Sequence, residues 1–120
     1  MTASWYVLEL ETAKTLRADG YWTIRAPGSK GHADTVALKP GPPIEIVFIQ
    51  CKETDLIPPG ERTRLLDLAA SFSGVALWAR WVKVGRAART VEFRQLTGPG
   101  PRDWQPWTAN HALEASNVSD

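Results

Sequence analysis

The sequence predicts an α/β domain whose elements run helix, three strands, helix, two strands. Three observations carry that expectation. Apolar runs rich in β-branched residues at 33–38 and 44–51 flank the Pro/Gly block 40–43, which reads as the turn of a hairpin. Residues 3–19 contain neither Gly nor Pro and stop at Gly20, and Leu65, Leu66, Leu68, Ala69 and Phe72 recur at helical spacing between Pro59 and Gly74. Two further strand-like runs, 75–84 and 89–96, follow the second helix with a turn between them.

A chain of 120 residues holds one core of two layers and has no room for a second fold. The expected division is a core domain over 1–97 and a C-terminal tail over 98–120, partly ordered or flexible, where Pro, Gly and polar residues take over. Lys and Arg number 14 against 13 Asp and Glu, so net charge alone does not announce a polyanionic partner. Distribution says more: Arg80, Lys83, Arg86, Arg89 and Arg94 are opposed within their stretch only by Glu92, which makes one flank basic. The single cysteine, Cys51, has no partner for an internal disulfide, and no apolar run reaches the length of a membrane span, so the expectation is a soluble, cytoplasmic protein with no membrane partner.

In the first helix, projection at about 100° per residue puts Trp5, Tyr6, Leu10, Ala13 and Leu16 on one apolar arc. Glu9 falls near the middle of that arc and Glu11 on the opposite side. A carboxylate so placed needs a cation, a hydrogen-bond donor or a metal. Glu9 is therefore either a site residue or the rim partner of a Lys or Arg such as Lys52. Residues 21–26 read as a strand ended by Pro27-Gly28. In the loop 27–32, Gly28 and Gly31 bracket Ser29 and Lys30, which permits close approach to a phosphate. The loop lacks the spacing of a Walker motif, and by itself a plain turn accounts for it.

A hairpin centred near Pro42 opposes residues whose numbers sum to about 84, which sets Asp34 across from Gln50. Because side chains alternate, Gln50 and Lys52 share a face and Cys51 points to the other. Asp34, Gln50 and Lys52 then converge at one end of the sheet, where oxygen ligands and an ammonium suit a hard cation. Run 44–51 is apolar on both faces and should be a central strand. Arg80 and Lys83 differ in parity, so strand 75–84 is expected to bend or end near Trp81–Val82. Run 89–96 alternates cleanly and suits a half-exposed edge strand. Trp104 and Trp107 either pack back on the domain or meet a partner subunit or ligand. His32 and His111 are the only histidines and have no metal-ligand spacing, which disfavours zinc and thiol-nucleophile chemistry.

Taken together, these residues resemble the archaeal-type Holliday junction resolvases of the PD-(D/E)xK nuclease superfamily, with a phage-encoded member among the readings the resemblance allows. The resemblance spans roughly residues 5 to 96. It rests on Glu9 followed by Gly20-Tyr21, on Arg25-Ala26-Pro27-Gly28-Ser29-Lys30, on Asp34 opening an apolar strand and on Gln50-Cys51-Lys52 closing the next. One departure stands out. Gln50 occupies the (D/E)xK position where the family usually has glutamate, as in branches of the superfamily that carry QxK.

The resemblance implies a mixed five-stranded sheet flanked by helices, in a restriction-endonuclease-like core. It implies a homodimeric, metal-dependent endonuclease that resolves four-way DNA junctions by paired nicks. Its catalytic residues would be Glu9, Ser29, Asp34, Gln50 and Lys52. Mg²⁺, with Mn²⁺ able to substitute, would be held by Glu9, Asp34, Gln50 and the backbone carbonyl of Cys51. Arg25, Lys30, Arg62, Arg64, Arg80, Lys83, Arg86 and Arg89 would contact the DNA. The alternatives are a related endonuclease acting on duplex or flap DNA, and a non-catalytic DNA-binding derivative of the fold.

Overall fold

The computed structural model describes residues 4–25, 33–53, 57–86 and 88–108. Helix α1 (Ser4–Ala18) leads into strands β1 (Trp22–Arg25), β2 (Thr35–Lys39) and β3 (Glu45–Cys51). Helix α2 (Pro59–Ser71) then returns the chain to β4 (Val75–Val84), β5 (Ala88–Leu96) and β6 (Trp104–Trp107). The strands lie side by side in chain order, antiparallel throughout except that β3 and β4 run parallel. That one parallel step is the one that needs a helical crossover, and α2 supplies it. The sheet is thus mixed and flanked by two helices, with six strands where five were expected.

The extra strand comes from the segment read as tail. Trp104–Trp107 pairs with β5, seating Trp107 opposite Phe93 and Trp104 opposite Leu96. Trp107 is buried, edge-on to Phe93 at 5.5 Å between ring centres and tilted against Tyr21 at 6.3 Å. Strand β5 is therefore internal over residues 93–96, while residues 88–92 pair only with β4 among the described residues. Its alternation puts Val91 and Phe93 on the α1 face and Leu96 on the α2 face.

Two cores sandwich the sheet. On the α1 side, Leu8 and Leu16 pack with Tyr21, Ala37, Val47, Ile49, Cys51, Leu77, Ala79, Phe93 and Trp107. On the α2 side, Leu65 and Ala69 pack with Phe48, Ala76, Trp78 and Leu96. Strand β3 contributes alternate residues to both, as its two-sided apolar sequence predicted. The buried stripe of α1 is Leu8, Glu9, Thr12, Ala13 and Leu16, while Leu10 is exposed. The predicted arc was thus rotated by about a residue, because α1 docks by its i, i+4 row through Leu8, Thr12 and Leu16. Glu9 belongs to the buried stripe on either projection. Gly20, at φ 92°, ends the helix in the left-handed region where glycine carries no Cβ penalty, and its N–H donates to the Arg17 carbonyl.

Strand β4 pairs with β5 without interruption to Val84 opposite Ala88, so it neither bends out of register nor ends at Trp81–Val82. The differing parity of Arg80 and Lys83 has a simpler meaning: they project from opposite faces. Arg80 shares the α2 face with Trp78, whereas Lys83 and its partner Arg89 share the α1 face with Trp81. The basic flank is a two-sided hairpin.

Candidate active site

The hairpin register is the one the turn implied. Thr35 faces Ile49 and Lys39 faces Glu45, pairs whose numbers sum to 84. One step beyond Thr35, the Asp34 N–H donates to the Ile49 carbonyl at 2.8 Å. The Asp34 carboxylate in turn accepts the backbone N–H of Cys51 at 2.8 Å. A side chain thereby continues the strand pairing where the backbones part, and it fixes the carboxylate at the C-terminal end of β3.

Burial is the largest influence on Asp34 and pushes its carboxyl above the usual carboxylate range. The Cys51 N–H pulls it back, Glu9 raises it, Lys52 lowers it and Glu61 raises it again. Those influences locate three charged groups, Glu9, Lys52 and Glu61, around one carboxylate. Glu9 is paired with Arg25, Oε1 to Nη2 at 3.0 Å, and the Arg25 guanidinium also lies 4.7 Å above the Tyr6 ring. The cation that Glu9 required is thus Arg25 rather than Lys52. Lys52 donates to Glu61 Oε1 at 2.8 Å. Gln50, 2% exposed, has an amide oxygen with no hydrogen-bond partner among the described residues.

Cys51 faces α1, where its thiol contacts the Thr12 hydroxyl at 3.6 Å. Burial pushes that thiol up to about 12, so it has no thiolate character at neutral pH and is not a nucleophile. Gln50 and Lys52, of opposite parity, belong to the α2 face with Phe48. Asp34 is therefore reached from both sides of the sheet, by Glu9 from α1 and by Lys52 and Glu61 from the α2 layer.

Sequence reasoning missed Glu61. It is the acid in the first turn of α2, where the helix dipole favours negative charge, and it reaches Lys52 because α2 begins soon after β3 ends. An acid two residues into a helix that follows the xxK step was the available signal. Ser29 and Lys30 lie outside the described residues. Arg62 is a correction: it is 1% exposed on the inner face of α2, and neither Nη has a hydrogen-bond partner among the described residues, so it offers no surface for DNA. Burial lowers its pKa and the charge of Asp103 opposes that. It lies on the buried helix row with Leu65 and Ala69, a spacing its charge obscured. Arg64 is exposed on the same helix, and Lys83, Arg86 and Arg89 are exposed around the β4–β5 turn. Arg80 is half-buried, its guanidinium 5.6 Å from the Trp78 ring.

The oxygen donors at this end of β3 are hard, carboxylates and a Gln50 amide oxygen unpaired among the described residues, the chemistry suited to Mg²⁺ or Mn²⁺ rather than to a soft metal. Among the described residues no three His, Cys, Asp or Glu side chains are grouped as a ready-made metal site, so Gln50 and backbone oxygen would have to complete one. A separate apolar groove of about 510 Å³, lined by Thr15, Val82, Thr90, Phe93 and Trp107, includes none of these residues.

Because Asp34 has a raised pKa in the folded chain, folding favours its protonated form. Its stability contribution is fully present below the ordinary carboxylate pKa and is lost as pH rises through the raised value. Asp34→Asn should therefore raise the melting temperature at neutral pH in EDTA, and the advantage should shrink as pH falls towards about 4. A neutral-pH melting temperature at or below that of the parent would contradict the burial account.

No protein-family model matches the sequence, and no curated protein matches it significantly. Solved structures do. The chain is similar to the Holliday junction resolvase Hjc of the archaeal hyperthermophile Archaeoglobus fulgidus, with a TM-score of 0.56, 25% sequence identity, and coverage of 76% of this chain and 71% of that one. The fold is that of an archaeal-type Holliday junction resolvase, the family its motif order resembles.

Proposed function

We propose that the protein is a metal-dependent, structure-specific endonuclease that resolves four-way DNA junctions by paired nicks. The observation that carries this reading is Asp34, held at the end of β3 by the Cys51 N–H, under the charges of Glu9, Lys52 and Glu61 and within one register step of the Gln50 strand position, in a fold similar to that of a junction resolvase.

A bound divalent cation would neutralise charge developing on the scissile phosphate. Asp34, Gln50 and Glu9, with the Cys51 carbonyl, would hold Mg²⁺, or Mn²⁺ in its place; the unpaired Gln50 oxygen is the acceptor best suited to gain such a partner. Lys52 would orient the attacking water and stabilise negative charge on the phosphate, at the end of β3 where Asp34 is also anchored. Ser29 and Lys30 would hold the neighbouring phosphate, with Arg25 beside them once its ion pair to Glu9 yields. Arg64, Arg80, Lys83, Arg86 and Arg89 would contact the DNA arms through phosphates, reading branch shape rather than sequence.

The proposed homodimer finds support in an open apolar surface. Helix α2 packs on β3 and β4, and among the described residues the α2-side face of β1 carries exposed apolar side chains. Trp22, 63% exposed, and Ile24 lie there, and Ile44, at 67%, and Phe72 are also exposed.

Cleavage of a four-way junction with and without Mg²⁺, beside flap and linear duplex, tests the function. Symmetric nicking of the junction is expected, abolished by Asp34→Ala. Preference for flap or duplex would reassign the substrate, and no cleavage in Mg²⁺ or Mn²⁺ would leave a DNA-binding derivative. Reversing Arg86 and Arg89 to Glu should weaken junction binding at least tenfold at low salt and flatten its salt dependence, by loss of about two phosphate contacts; unchanged binding removes that hairpin from the interface. Sedimentation velocity should show a dimer that Trp22→Glu converts to monomer, and a dimer surviving the substitution places the contact elsewhere.

A further inference from the structure

The site has three carboxylates in one electrostatic neighbourhood, and they are not equivalent. Asp34 is fixed by the Cys51 N–H, and Glu9 is neutralised by Arg25 at 3.0 Å. Glu61 arrives from another element, the first turn of α2, and engages the Lys52 ammonium at 2.8 Å. The pair is partly shielded, with 28% and 22% of the two side chains exposed. Its charge also reaches Asp34.

On β3 itself the residue two before Lys52 is a neutral amide, buried and with its oxygen unpartnered among the described residues. A carboxylate at position 50 would have stood on the same strand face as Lys52. Gln50 keeps the oxygen and omits the charge. The geometry points to Glu61 as the group that restores it: Glu61 is a positioning residue that holds Lys52 in place and supplies, from α2, the negative charge missing from β3. The inference rests on the cation-dependent hydrolysis proposed above and adds a residue to it.

The consequence is an exchange that two substitutions can make and unmake. Glu61→Gln removes the charge while keeping shape and hydrogen-bonding capacity. Adding Gln50→Glu returns a charge to the same neighbourhood from the strand. Mn²⁺ binding to the full-length protein, measured by isothermal titration calorimetry without DNA, reads the effect independently of cleavage. The expected result is that Glu61→Gln weakens Mn²⁺ binding by roughly tenfold or more with little change in melting temperature, and that Gln50→Glu in the same chain recovers most of the loss. Unchanged affinity in Glu61→Gln would overturn the inference, as would a double variant no better than the single one. Asp34→Ala separates the two levels. If it abolishes Mn²⁺ binding while Glu61→Gln does not, the cation site stands and Glu61 is excluded from it. If Asp34→Ala binds as the parent does, or the parent binds no Mn²⁺, the cation site and this inference fall together.

Discussion

The hydrogen bond from the Cys51 N–H to the Asp34 carboxylate is the constraint on which the rest of the site depends. Strands β2 and β3 separate at that point, and a backbone donor at the end of a central strand would otherwise lack an acceptor. Asp34 provides one, and in doing so is drawn into a largely buried position. The same contact closes the strand ladder and localises a negative charge. Glu9, Lys52 and Glu61 are significant because they face that charge from two different layers.

The charges are arranged in pairs across the sheet. On the α1 side Glu9 meets Arg25, and on the α2 side Lys52 meets Glu61, with the less well neutralised Asp34 between them. Pairing each outer group limits the cost of placing ionised side chains near a core. Concentrating the imbalance on one carboxylate leaves a place where a positive ion or a developing cationic partner is favoured. Burial of Asp34 is unfavourable for the isolated fold, and acids shifted in this way are enriched at functional sites.

Much of this was legible in the sequence because it depends on short-range rules. The Pro/Gly turn 40–43 set the β2–β3 register to the residue, and period-two alternation then put Gln50 and Lys52 on one face. Helix-stop signals at Gly20 and Gly74 bounded α1 and α2 within about two residues. What escaped depends on packing between distant elements. Glu61 is an ordinary first-turn acid until α2 is laid beside β3. Arg62 looked like a surface cation because charge is a poor guide to position when the helix row it occupies is buried. Arg25 was assigned to DNA, and only the approach of α1 to β1 reveals its pairing with Glu9. Residues 104–107 contain a proline, which argues against a central strand but not against the edge strand they form.

That proline gives the end of the sheet a further property. Strand β6 is only four residues long, and Pro106, opposite Arg94, removes one of the few amide donors it could present outward. An unprotected β5 would have offered nine residues of regular edge to any other extended chain. Over residues 93–96 that margin is covered by a short strand that lacks a donor, a poor template for intermolecular strand addition, so β6 shortens the edge open to aggregation as well as enlarging the core.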